Sequence, residues 1–244
     1  MKSKILLSLL AIIPLCGCNV KSEYHYDNAD QYVEYKEAVT IDNNDLDSLI
    51  VNWVSGDVII NQKDGPLSFK ETTGNASKYL PLYYRTFNNG VEIQFVKSGT
   101  DNDLVNNLQK TVEITVPLHY TDIYINTVSA DSVININTMH EIDFNSVSGN
   151  LKAEINQVTT FLSNTVSGNI DITLKDTSTT HSIEINTVSG NSKLYLDSNR
   201  GYKLNKTTVS GKIKDNFNKS DENPYRIDFN SVSGDLELNK YELE

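Results

Sequence analysis

The chain has 244 residues, 38% of them hydrophobic and 22% charged, with a formal net charge of −11. That apolar content suffices for a packed core, while the excess of Asp and Glu repels phosphate backbones and argues against nucleic acid as a partner. With only two cysteines there is no disulfide framework and no cysteine-based metal site.

Lys2 and Lys4 open the chain, followed by an apolar run from Ile5 to Leu15 broken at Ser8 and Pro14. A bilayer span needs about 20 apolar residues, so residues 1–17 read as a signal peptide rather than a membrane helix. Leu15-Cys16-Gly17-Cys18 resembles the lipobox of bacterial lipoproteins. The resemblance implies that Cys18 becomes the mature N-terminus and carries a diacylglyceryl group. The lipid would hold the protein on the outer face of a membrane of the cell envelope. The competing reading is an ordinary cleaved signal or a short anchor. Loss of residues 1–17 leaves 19 Lys+Arg against 32 Asp+Glu and a net charge of −13.

Residues 18–38 are polar and carry Tyr24, Tyr26, Tyr32 and Tyr35 without a clear period, which reads as a tether. From Val39 the pattern is strand, with alternation in Leu49–Trp53, Val58–Ile60, Val112–Val116, Ile123–Ile125 and Ile183–Ile185. Asn88-Asn89-Gly90 predicts a hairpin turn, and residues 101–109 give the one helical stretch. Residues 39–121 are expected to form an irregular β part that caps the fold, and residues 122–244 its regular part.

That regularity comes from a repeated tripeptide. The copies are Val54-Ser55-Gly56, Val128-Ser129-Ala130, Val147-Ser148-Gly149, Val166-Ser167-Gly168, Val188-Ser189-Gly190, Val209-Ser210-Gly211 and Val232-Ser233-Gly234. From Val128 onward the valines are 19, 19, 22, 21 and 23 residues apart, a period that signals stacked coils.

Apolar pairs stand at alternate positions before the Val: Leu49/Val51, Ile123/Ile125, Ile142/Phe144, Ile183/Ile185, Tyr202/Leu204 and Ile227/Phe229, with Phe161/Ser163 as the weakest. After it come Val58/Ile60, Ser132/Ile134, Leu151/Ala153, Ile170/Ile172, Ser192/Leu194 and Leu236/Leu238. The two sets differ in parity relative to the Val, and a strand cannot switch its inward face without a bend. Each motif is therefore expected to be a corner, with Gly supplying the unusual backbone angles. Ala130 then marks a strained or differently shaped corner. Val166 and Ile185 are both expected in the core.

Asn52, Asn126, Asn145, Asn164, Asn186 and Asn230 precede the Val by two, so stacking would align their amides in a ladder. The fold class is all-β, a parallel β-solenoid (β-helix-like) of about 20-residue coils with Val-Ser-Gly corners and an irregular N-terminal cap. Trp53 is expected to cover one end of the core, and acidic residues 235–244 to blunt the other edge.

Chemistry-bearing constellations are scarce. His25, His119, His140 and His181 lack metal-site spacing. The motif serines recur too often to be nucleophiles, and Arg85, Arg200 and Arg226 are too scattered for a polysaccharide-cleaving site. The row Asp57, Asp131, Asn150, Asn169, Asn191 and Asp235 is the best calcium candidate, but Lys212 interrupts it. No cofactor is implied.

Residues 50–60, Gly90–Phe95, Thr115-Val116-Pro117 and the Val-Ser-Gly run together resemble the bacterial "putative adhesin" family of β-strand-repeat domains (domain of unknown function 4097). The resemblance spans about residues 40–240 and implies a parallel β-solenoid, surface display and no enzymatic activity. The leading expectation is a lipid-anchored, non-enzymatic surface protein that presents a rigid face to a glycan, an envelope polymer or a protein. The alternative is an envelope-stress protein that senses or sequesters cationic antimicrobial peptides. A polysaccharide-active β-helix enzyme ranks third.

Overall fold

The computed structural model describes residues 22–73, 80–216 and 224–241. Strands dominate; the α-helix Asn102–Asn106 falls within the stretch expected to be helical, and Asp101 caps it by accepting the Asp103 N–H at 2.9 Å.

Every motif copy separates two strands. The leading strands, in spatial order, are Gly90–Gln94, Ser48–Trp53, Asp122–Thr127, 141–146, 160–165, Ser182–Thr187, Tyr225–Ser231 and Tyr202–Thr208. The trailing strands are Lys110–Val116, Gly56–Gln62, 131–135, 151–155, Ile170–Leu174, Ser192–Leu196, Leu236–Lys240 and Ile213–Asp215. All of these pairs are parallel and in register. Antiparallel strands Leu67–Thr73 and Tyr83–Phe87 flank the N-terminal end, the latter joined to Gly90–Gln94 by the Asn88-Asn89 hairpin.

Between the leading and trailing strands lie the inward rows. Leu49, Ile123, Ile142, Phe161, Ile183 and Ile227 form one; Val51, Ile125, Phe144, Ser163, Ile185 and Phe229 form the next, and none is more than 1% exposed. Full burial of each large apolar side chain contributes about 1.5–3 kcal/mol. Ser163 is the small member between Phe144 and Ile185, and its hydroxyl is buried without a hydrogen-bond partner.

Coil order does not follow chain order. Residues 48–62 stack between the 90–116 coil and the 122–135 coil, and residues 225–240 insert between coils 182–196 and 202–215. The inward registers explain the second inversion. Lys206 aligns with Phe229, and Asp215 aligns with Leu238. Placed inside, both charges would be buried among apolar rows at a prohibitive cost; placed last, Lys206 stays exposed and the coil serves as a cap.

Several expectations are corrected. The distal edge is this 202–215 coil, not acidic residues 235–244. Trp53 lies one coil inside the N-terminal end, 0% exposed, with its ring edge-on to Phe95 at 4.9 Å. Residues 22–38 are no free tether: Glu23–Tyr24 pairs with Thr100–Asp101, Val33–Glu34 with Tyr83–Tyr84, and Tyr32 and Tyr35 are buried. Cys18 and residues 1–17 lie outside the described residues.

The motif itself also reads differently. Its later valines point outward, with Val166 40% and Val209 84% exposed, whereas Val54 is buried and Val128 half-buried against the core. Among the motif glycines only Gly56 has a positive φ, at 93°. The others are required by close axial approach, because a Cβ on Gly168 would stand 2.0 Å from the Gly149 carbonyl oxygen. Ala130 has an ordinary φ and lies next to Gly56, the one left-handed corner.

Candidate functional site

The corners carry three hydrogen-bonded rows along the axis. In the first, each Asn amide donates to the Oδ1 of its neighbour: Asn126 to Asn52 at 2.9 Å, Asn145 to Asn126 at 3.1 Å, then Asn164, Asn186 and Asn230 each onto the preceding Asn at 2.9 Å. At the N-terminal end Asn52 donates to Glu92 at 3.0 Å. The other Glu92 oxygen holds Arg85 at 2.7 Å, and the Arg85 guanidinium lies over the Tyr32 ring. The row thus ends on the segment that wraps the N-terminal cap.

The second row is the hydroxyl that precedes each Val from Val128 onward. Thr127 donates to Ser146 at 2.9 Å and Thr165 to Thr187 at 3.0 Å, while Ser146 and Thr187 accept the N–H of Gly149 and Gly190. In the third row, the residue after each Gly accepts a backbone N–H from the adjacent coil: Asp131 from Asn150, Asn150 from Asn169, Asn169 from Asn191, Asn191 from Asp235, and Asp235 from Lys212, at 2.7–3.0 Å. Lys212 ends the row because it belongs to the capping coil, where no further coil needs an acceptor. Of the residues considered for calcium, Asp131, Asn150, Asn169, Asn191 and Asp235 each commit one oxygen to the corner backbone, while Asp57 accepts from the Thr111 hydroxyl.

The outward face of the leading strands is half-buried and acidic. His140 Nδ1 lies 3.1 Å from Asp122 Oδ1, and these two with Glu141 place their donor atoms within 4.8 Å of one another. Asp122 and Glu141 are axial neighbours, 19 residues apart, so the repeat interval was the sequence signal that could have found them. The set offers one imidazole and two carboxylates but stands open to water, with His140 exposed and nothing enclosing it. Two residues on, burial and the neighbouring Glu141 charge push the Asp143 carboxyl up to about 6, although the Asn145 amide opposes the shift. Burial, with Glu141, Asp122 and Asp143 nearby, likewise holds the Tyr124 phenol well above its ordinary range.

One further charged pair is internal. Lys110 reaches Glu71 at 2.8 Å, with both side chains 0% exposed. It also donates to the Leu80 and Phe95 carbonyls and sits over the Trp53 and Phe95 rings. Burial lowers the ammonium to about 8 against the pull of Glu71. The pair ties the 67–73 strand to the first coil and faces no solvent.

A family model, Toastrack DUF4097, matches residues 32–242. The chain belongs to the Toastrack family. No curated protein matches it. Among solved structures it is similar to a "putative cell adhesion protein" from Clostridium sporogenes, at 14% identity and a TM-score of 0.52, covering 86% of this chain and 100% of that one. A "putative adhesin" from Bacteroides fragilis follows at 12% identity and a TM-score of 0.44, covering 85% and 99% of the two chains. A "putative lipid binding protein" from Parabacteroides distasonis gives 14% and 0.40, covering 84% and 96%. The first likeness supports the Toastrack fold alone. No enzymatic family is indicated, and no helix among the described residues is long and apolar enough to cross a membrane.

Proposed function

We propose that this Toastrack protein is a non-enzymatic, lipid-anchored component of the bacterial cell envelope. In this reading its parallel β-solenoid, with Val-Ser-Gly corners, presents rigid exposed ladders to a ligand on the outer face of the membrane. The observation that carries the reading is the Asn row, hydrogen-bonded without a break from Asn52 to Asn230, which fixes half-buried side chains at the interstrand spacing along the stack. Such a surface suits recognition of an extended or repeating partner.

The lipobox at Cys18 supports the anchor, and Glu23–Tyr24 already pairs with Thr100–Asp101, so the domain would sit close to the bilayer. Replacing Cys18 with Ser is expected to move the protein from the membrane fraction to the soluble one; unchanged partition overturns the anchoring. Probing arrays of glycans and envelope polymers tests the ligand. A second reading, capture of cationic peptides, is favoured by the acidic outward face that includes Asp122, Glu141, Asp143, Glu184 and Asp228. It predicts binding to polycations that salt abolishes, and salt-resistant binding counts against it.

A further inference from the structure

The repeat keeps a 19-residue interval through the copies at Val128, Val147 and Val166, then lengthens to 22 and 21. In the 19-residue coils the chain runs through the corner opposite the motif as continuous strand, Asp131–Ser146 and Leu151–Thr165. The extra residues of the next two coils break that continuity. They form loops 175–181 and 197–201, stacked one above the other. Between them lies a cleft of about 460 Å³, lined by Lys175, Asp176, Ser178, Asp197, Asn199 and Arg200.

The loops are held in place from within. Arg200 Nη1 donates to the carbonyls of Thr177, Ser178 and Thr180 at 2.8, 3.0 and 2.8 Å, strapping the upper loop to the lower. The guanidinium also lies over the buried Tyr225 ring, with 5.6 Å to its centroid. Asp176 accepts the Ser178 N–H at 2.8 Å and the Gln157 amide at 2.6 Å; Asp197 accepts the Asn199 N–H at 3.0 Å. Thr180 Oγ1 donates to the Val158 carbonyl at 2.9 Å. A cleft made of loops fixed this way needs little reordering to receive a ligand.

Its lining selects the ligand class. Two cations and two carboxylates face the same space as a hydroxyl and an amide. Asp197 is 9% exposed, and Lys175 is balanced by Glu154 at 3.6 Å. An anion entering the cleft meets Asp176 and Asp197, and a cation meets Lys175 and Arg200. A neutral molecule with many hydroxyls supplies donors to the carboxylates and acceptors to the amide and ammonium together. The volume lies within the range of small-ligand sites. We infer that the cleft between loops 175–181 and 197–201 is a binding site for a neutral sugar unit. The site deepens the surface-binding reading above and rests on it for its biological setting.

The test uses the full-length chain in a detergent without a sugar headgroup. Saturation-transfer NMR and calorimetry are run with neutral mono- and disaccharides of glucose, galactose, mannose and N-acetylglucosamine. Glucuronate, glucose 6-phosphate and spermine are the charged probes. At least one neutral saccharide is expected to bind with a Kd of about 1 mM or tighter. Asn199→Ala and Lys175→Ala, both at exposed positions, are each expected to weaken it about tenfold with an unchanged melting temperature. Absence of neutral-sugar binding, preference for a charged probe, or affinity indifferent to both variants overturns the inference. The anchor and whole-envelope binding are read separately, so an empty cleft on a protein that still partitions to membranes sinks this site and leaves the surface reading standing.

Discussion

Gly168 stacks on Gly149 so closely that a methyl group on its α-carbon would stand 2.0 Å from the Gly149 carbonyl oxygen. The obstacle is backbone held in a parallel ladder on both sides, so it cannot move aside. Gly168→Ala is expected to destabilise the protein by about 3 kcal/mol in urea melts. Gly65→Ala, at a turn with φ 116° and nothing within 4 Å, should cost only about 1 kcal/mol. Equal losses at the two sites would contradict the close-approach account.

Ile185 and Val166 separate the core from the corner. Ile185→Asp places an unpaired charge in a row that is 0% exposed and is expected to abolish cooperative unfolding at room temperature. Val166 is 40% exposed, and Val166→Asp should shift stability by under about 1 kcal/mol. Circular dichroism melts of the two variants check the difference, and a Val166→Asp protein that fails to fold would reverse the assignment of its outward face.

Asp143 predicts an acid-side gain. Its folded carboxyl titrates near 6, above the ordinary 3.8, so the folded state binds the proton more tightly than the unfolded one. The associated stability is fully present below about pH 4 and is lost as pH rises through 6. Asp143→Asn is therefore expected to raise stability at pH 7 by about 1 kcal/mol, allowing for partial exposure, and to flatten the pH dependence between 4 and 6. Denaturant midpoints across that range provide the measurement.

Lys206 caps the far end of the core from an inward register opposite Phe229. Lys206→Leu should leave the melting temperature within a few degrees while exposing an apolar strand edge that pairs between molecules. Sedimentation velocity is expected to show association absent from the unaltered chain; a strictly monomeric variant would mean that the lysine has no protective role.

Much of the fold was legible because the same local problem is solved seven times. The parity switch at each motif located the corners, and the shared offset of the asparagines anticipated their alignment. The meaning of the individual motif residues was less accessible. Gly56 answers to both a positive φ and the Lys110 carbonyl, whereas Gly168 answers to the Gly149 carbonyl alone, and only the adjacent coil shows which applies. An alternating pattern that stops at a corner likewise does not say where Val166 points. The opposing loops gave no signal beyond three extra residues in one interval and two in the next, and the Arg200 bonds to Thr177, Ser178 and Thr180 that hold the two loops together appear only in the structure.

The sequence by itself determined the strand content, the coil period and the inward rows, since these follow from side-chain alternation within a few residues. Tertiary structure alone decided the order of the coils. Residues 225–240 bypass 202–215 because a complete apolar layer buries better against Ile185 and Leu194 than a layer carrying Lys206 and Asp215. That comparison is between whole coils competing for one surface, and the cost of burying two charges settles it.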